Sequence, residues 1–465
     1  MDCIYELAKF CIETPYEDIP KKTIENAKKL VLDIIATITA GSTAAICPKV
    51  AAKFIDWGGK EESNVLVYSK RLPAPAAAMV NGTMAHARDF DDTHDNAVIH
   101  TGVSVIPTAL AVAEANGNTS GKDFLKAVVM GVDVFTRLTY GAGLTVFQSG
   151  FMYTSLFAYF ASAIAASIVD GHNTEQAVNT CGIVLSQASG ILQTIMDSAL
   201  TKRMQPGFAA QAASQAAFLT DIGVTGCKDV LEGPKGFYQV YFRGNYHREN
   251  ILKNLGKTWY IDELAYKPYP CCRYTHSGID GIKKIMREHN VNADNIVSID
   301  VGTTEQVGFS VCNPIEKRRH PQCVVDAQFS IPFTMASAII NGNVDLSTFE
   351  EKNFDDEKIL ALTSKINPYI DEEIEKKYSG CAPTRVVVHT ADGDFEDCVV
   401  IPKGSPEKPM SIDEILEKLN GTKAYAAYPV KDGAFEEIVE TVKKLEEYDN
   451  VKILMDKLHN AYKID

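Results

Sequence analysis

At 465 residues, 46% hydrophobic and 23% charged, the chain has a globular composition and exceeds the usual size of one hydrophobic core, so two domains are expected. A net charge of -14 and a sequence pI near 5.3 exclude nucleic acid as a main partner, because phosphate backbones need a local cationic excess. They do not exclude a small anion held by a few convergent Lys and Arg. The 11 cysteines, with no secretory pattern at the N-terminus, read as reduced thiols in a cytoplasmic protein.

Apolar residues at Ile24, Ala27, Val31, Ile34, Ile35 and Ile38, followed by Gly41, predict a helix over 24–38. The stretch 81–100 then concentrates Asp89, Asp91, Asp92, Asp95, His86, His94 and His100 between apolar segments. An alanine-rich helix follows over 103–116 and ends at Gly117. Ser120 and Asp123 form a capping pattern ahead of a helix over 124–138. The uncharged run 151–169 meets the length for a membrane span. Its Ala, Ser and Tyr content and its lack of a basic flank favour a central helix, apolar on all sides. A helix from Thr174 towards Ser186 is next, and Pro206 and Gly207 start another over 208–219, closed by Gly223. Up to about residue 230 no strand alternation is expected, and this half reads as all-α.

The texture changes after Trp259. Pro268 and Pro270 keep the segment around Cys271 and Cys272 from being helical throughout. Residues 297–301 alternate like a strand, and 385–390 and 396–401 flank Asp392 and Gly393, a hairpin-turn dipeptide. With a helix over 329–341, residues 267–405 read as a smaller α+β domain. Ser411 and Glu414 cap a further helix, and the remaining chain, including 435–447, is expected to be helical and charged on its outer face.

The 81–100 stretch has the residue types of a metal site but no HExxH spacing and no accompanying CxxC pair. Asp in such a loop also commonly caps the next helix, and His86 is equally a satisfied core residue. Phosphate-binding loops and a GxSxG elbow are absent from the sequence. Cys271 and Cys272 beside His276 are a weak case for a thiolate nucleophile. Noncovalent acid/base work on a small anion remains. It needs a base, an opposing acid, and cations for carboxylates. Asp89 and His100 supply acid/base groups. Lys202 and Arg203, just ahead of Pro206, supply cations, and Arg273 stands with His276 in the second domain.

These residues stand in segments that resemble the MmgE/PrpD family. The hallmark is Asn81 and Gly82 through His86, then Asp89, Phe90, Asp91, Asp92 and Thr93, then His100 and Pro107. Further matches run through 200–210, Glu232 with Gly233, 267–276, 329–333, Asp392 with Gly393, and Pro409 with Met410. The order is kept over nearly the whole chain. The resemblance implies a mainly α fold, with a large all-helical domain (1–266, completed by 406–465) and a smaller α+β lid domain (267–405). It also implies a homodimer and catalysis without metal or organic cofactor. Asp89, His100, Lys202 and His276 are the implied catalytic residues. Thr93 is an implied substrate contact; Arg203 and Arg273, from the residues themselves, and Met152, Tyr153 and Gln205, where the chain departs from the family pattern, are the other expected substrate contacts. Two departures bear on the substrate: members often carry histidines where this chain has Met152 and Gln205, neither of which transfers protons.

The expected activity is a cofactor-independent lyase of the dehydratase type, acting on a small hydroxy-carboxylate. An epimerase, isomerase or decarboxylase would use the same deprotonation. A catalytically reduced ligand-binding protein is the reading from another class, motivated by Met152 and Gln205. No nucleic-acid or membrane partner is expected.

Overall fold

The computed structural model describes residues 1–197, 199–378 and 382–464. Met1–Leu264 together with Ser411–Asp465 form one compact unit, and Ala265–Met410 form the other.

The first unit is mainly α-helical. In the Lys21–Gly41 helix the first turns are amphipathic, but from Leu30 onward every residue is buried, Asp33 included. Pro73 and Pro75 set the start of the Ala74–His86 helix, where a proline removes only an N–H with no intrahelical partner. This helix lies against Gln205–Asp221, and glycine is what lets the two backbones meet. A Cβ on Gly82 would stand 2.9 Å from the Gly207 Cα, and one on Gly207 would stand 2.5 Å from the Met79 carbonyl oxygen. That contact brings the Lys202 segment towards the loop leaving His86. The Gly102–Asn116 helix returns from that loop, and Gly121–Gly141 is capped by the Ser120 side chain on the Asp123 N–H. The helix from Thr174 extends to Leu185, with a full capping box between Asn173 and Gln176.

Two expectations for this unit need correction. The run 151–169 is not one helix: Tyr153–Leu156 and Ala158–Val169 are separate, divided at Phe157. Ahead of them, Phe151 pairs with Ile191 in an isolated bridge, and the Met152 N–H donates to the Gly190 carbonyl at 3.0 Å. Every residue of Ala158–Val169 is buried, and among the described residues no helix is long and apolar enough to cross a membrane. The unit also contains strands, β1 (Ser63–Val65) and β2 (Lys70–Leu72), paired antiparallel. They are too short to show an alternation in sequence.

The second unit is a four-stranded sheet with helices. Its strands are β3 (Ile296–Thr303), β4 (Ile366–Ile370), β5 (Thr384–Thr390) and β6 (Gly393–Val399), in the order β4-β3-β5-β6. Only the β3–β4 pair is parallel. Ile279, Ile282, Ile285, Phe333, Val386 and Val388 are part of one buried cluster, joining the helices His276–His289 and Ile331–Asn341 to the sheet. β4 was not expected. It is an edge strand containing Pro368, mostly outside the core, so it lacks the alternating pattern of a half-buried strand. The hairpin is also shifted by one residue: Thr390 pairs with Gly393, so Ala391 and Asp392 form the turn and Gly393, at φ +132°, opens β6.

The chain rejoins the first unit at Ser411, whose side chain and Glu414 complete a capping box for Ile412–Gly421. The expected helix over 435–447 ends at Lys443, and Leu445–Glu447 continue as a 3-10 turn. The outer-face expectation fails at Lys418, whose side chain is 2% exposed.

Candidate active site in the 89–100 loop

The loop between the Ala74–His86 and Gly102–Asn116 helices is built by its own carboxylates. Asp92 caps the second helix: one oxygen accepts from the Thr101 N–H (2.9 Å) and hydroxyl (2.8 Å), the other from the Gly102 N–H (2.9 Å). A side chain at Gly102 would strike both this carboxylate and Ile34. Asp89 sits at φ +52°, a left-handed conformation that Asp tolerates better than most residues. Val98 takes the same region at φ +56°, which is strained for a β-branched residue, in the tight turn where His94 and Ile99 pair.

Asp91 is fully buried, and its Oδ2 lies 2.9 Å from the Nδ1 atoms of both His86 and His100. Burial opposes its charge, but the two imidazoles hold the carboxyl well below the usual range. Its other oxygen, Oδ1, has no hydrogen-bond partner. His86 is buried too. Burial, reinforced by the charge of Lys202, pushes its imidazole down to about 4, so it is neutral at pH 7 and donates from Nδ1 to Asp91.

His100 differs in one respect that matters. Its Nδ1 is 2.8 Å from the Asp92 carbonyl oxygen as well as 2.9 Å from Asp91 Oδ2. A carbonyl only accepts, so Nδ1 carries the hydrogen and, in the neutral ring, Nε2 is the lone-pair nitrogen. Nε2 has no hydrogen-bond partner among the described residues, and the side chain is 19% exposed. His100 is thus oriented at one nitrogen and open at the other, the geometry of a general acid/base.

Lys202 Nζ is 3.3 Å from Asp89 Oδ1, and both side chains are largely buried. Its charge acts on His86, adding to the burial that lowers that imidazole. Arg203 is buried as well; its charge acts on the Cys47 thiol, which burial pushes up to about 11. The His100 N–H donates to Thr154 Oγ1 at 3.2 Å, tying the loop to the segment with Met152 and Tyr153. The Tyr153 hydroxyl donates to the Leu144 carbonyl, and the Gln205 amide donates to the Ile191 carbonyl and Thr194 hydroxyl, each at 3.2 Å. Thr93 spends its hydroxyl hydrogen on Asp95 Oδ1 at 2.7 Å.

Arg273 and His276 stand in the other unit as a group of their own. Arg273 Nη1 donates to His276 Nδ1 (3.2 Å) and to the Lys403 carbonyl (3.0 Å), while Nη2 reaches Ser405 Oγ at 2.5 Å. His276 Nε2 therefore carries the hydrogen and donates to the Cys271 carbonyl at 3.3 Å; the residue is fully buried.

Among the described residues, His86, Asp91 and His100 are close enough to ligate one ion, as are Asp2, Cys3 and Glu232, and Asp170, His172 and Asp221. In the first set, ligation through His100 Nδ1 requires giving up its bond to the Asp92 carbonyl. Asp2 and Glu232 already accept backbone N–H groups of each other's segments. Sequence reasoning missed Asp33 and Lys418, which form an ion pair beneath this loop at 2.7 Å. The available signal was Asp33 itself, a lone charge in an apolar helical run.

Residues 5–249 match the MmgE/PrpD N-terminal domain and residues 269–444 the MmgE/PrpD C-terminal domain. The chain is 28% identical over 435 residues to the cis-aconitate decarboxylase-like protein oryM of Aspergillus oryzae, covering 89% of each chain. It is 26% identical to cis-aconitate decarboxylase of Aspergillus terreus, over 98% of this chain and 95% of that one. The human cis-aconitate decarboxylase is 25% identical over 93% of this chain and 89% of its own. With both domains matched in order, the chain belongs to the MmgE/PrpD family.

Proposed function

We propose that this protein is a lyase that breaks a bond next to a carboxylate in a small di- or tricarboxylate, with His100 moving the proton and Lys202 holding charge. The observation that carries it is His100: Nδ1 is fixed by the Asp92 carbonyl and the Asp91 carboxylate, and Nε2 is open. In this reading Lys202 binds a substrate carboxylate and stabilises the enolate-like charge as it develops. Asp89 sets the direction of the Lys202 ammonium. Arg273 and His276 remain candidates for carboxylate binding and proton chemistry on the family pattern.

Decarboxylation is the favoured version. The carbon–carboxylate bond breaks, its electron pair passes into the adjacent conjugated system, carbon dioxide leaves, and one proton returns to carbon. That sequence needs one proton donor. Dehydration needs a base for carbon and also an acid for the departing hydroxyl, and Met152 and Gln205 supply neither. The names of the relatives point the same way. Dehydration of a hydroxy-carboxylate is the second reading, with the Lys202 ammonium as the acid.

Incubation with cis-aconitate and related acids in deuterated water tests this. Carbon dioxide release with one deuteron placed on the product is expected. Loss of water without carbon dioxide favours the dehydratase, exchange without either favours an isomerase, and no turnover of any acid favours a binding protein. The homodimer is part of the same proposal, supported by the exposed apolar side chains Phe147, Ile191, Met196 and Leu200. A sedimentation mass of a single chain overturns it.

A further inference from the structure

The Asp33–Lys418 pair has no part in the chemistry above, yet it is tied to it through one atom. Lys418 Nζ donates to Asp33 Oδ1 at 2.7 Å and to the Phe90 carbonyl oxygen at 2.6 Å, and lies 3.9 Å from the Phe90 ring centroid. The two charged side chains are 2% and 0% exposed. Phe90 stands between Asp89, which meets Lys202, and Asp91, which receives both imidazoles. Its carbonyl belongs to the peptide unit leading into Asp91, so a bond to that oxygen sets the direction in which Asp91 projects.

A buried ion pair is a poor device for stability alone, because desolvation consumes most of its Coulombic gain and apolar replacements are often neutral or better. This pair is not optimised for stability either: Asp33 Oδ2 is buried with no hydrogen-bond partner. Lys418 also reaches the loop from a helix 328 residues further along the chain. What the pair provides is a fixed charged donor on a backbone oxygen, beside an Asp89 backbone held in the left-handed region. Strained backbone persists only where its surroundings over-determine it, and such spots cluster at functional sites.

We propose that Lys418, anchored by Asp33, is a positioning residue: it holds the 89–91 turn so that Asp91 aims His100 and Asp89 aims Lys202. The roles of His100 and Lys202 rest on the proposed function; the positioning itself does not.

The test is the double variant Asp33→Leu/Lys418→Met in the full chain, which removes both buried charges together. Its melting temperature is expected to match or exceed that of the parent. Its crystal structure is expected to show a displaced turn, with His100 Nδ1 outside hydrogen-bond distance of Asp91. On a turned-over substrate, kcat is expected to fall about 100-fold, with KM changing far less and the pH profile of kcat altered, as for a catalytic group misplaced by about 1 Å. A parent-like turn with parent-like kcat overturns the proposal. Should the double variant not fold, Lys418→Arg keeps the charge but not the two-contact geometry of an ammonium; an unmoved turn there overturns the proposal equally. If the parent turns over no acid, the proposed reaction fails, and the variant's crystal structure still decides the positioning role.

Discussion

His100 and His276 are two candidate proton-transfer residues in opposite states. His100, in the helical unit, spends only Nδ1 on the protein and is 19% exposed. His276, in the sheet-containing unit, is fully buried, with Nδ1 taken by Arg273 and Nε2 by the Cys271 carbonyl. Both come from the same kind of family-matching segment. The difference teaches that matching a motif places a histidine but does not free it: the arrangement shown leaves Nε2 of His100 open, while both ring nitrogens of His276 are engaged.

Substituting the open histidine is expected to have the largest effect. His100→Gln keeps a hydrogen-bonding side chain but removes proton transfer, and kcat is expected to drop by about 10²–10⁴, read in steady-state assays at saturating substrate. A near-parental kcat moves the acid/base role elsewhere. For His276→Gln a smaller fall in kcat is expected, together with a loss of about 1–3 kcal/mol of stability from unpaired buried groups, measured by denaturant unfolding. If its kcat falls as far as that of His100→Gln, Arg273 releases the ring in the working enzyme, and the comparison narrows to timing.

The buried partner of the open histidine predicts a pH effect. His86 has its imidazole pushed from 6.5 down to about 4 by burial and by the charge of Lys202. Between these two values the unfolded chain binds a proton that the folded chain refuses, so stability rises with pH across that window and falls as pH drops from 6.5 towards 4. Melting temperatures across this range are expected to fall less steeply for His86→Gln than for the parent; identical slopes mean that His86 is not the titrating group. The smallest effect is expected at Val98, a half-exposed β-branched residue at φ +56°. Val98→Asn relieves the left-handed strain and is expected to stabilise by about 1 kcal/mol, seen as a modest rise in melting temperature with kcat unchanged. A lower melting temperature shows that the Val98 side chain contributes packing that outweighs the strain.

Residues with local causes were legible in the sequence. Capping at Ser120 and Ser411, the helices around Ile24–Ile38 and Thr174, and strands β3 and β5 all follow from neighbouring residues. Asp89, His100 and Lys202 stood out as candidates for the same kind of reason, because charged groups between Gly-rich and apolar segments are visible in one dimension. β4 was not legible, since an edge strand with Pro368 has no half-buried face to produce alternation. Nor was the burial of Lys418, which outward-facing helical periodicity assigns to solvent.

The sequence by itself determined the residue types at the site, the helix starts and the mainly α character, since propensity, capping and hydrophobic period act over a few residues. Only the tertiary structure decided which nitrogen of each histidine is occupied, that Asp91 serves two imidazoles, and that Asp33 and Lys418 meet beneath Phe90. Those outcomes depend on contacts of about 3 Å between groups as far as 385 residues apart, and no local pattern encodes a distance between segments that meet only when the core closes.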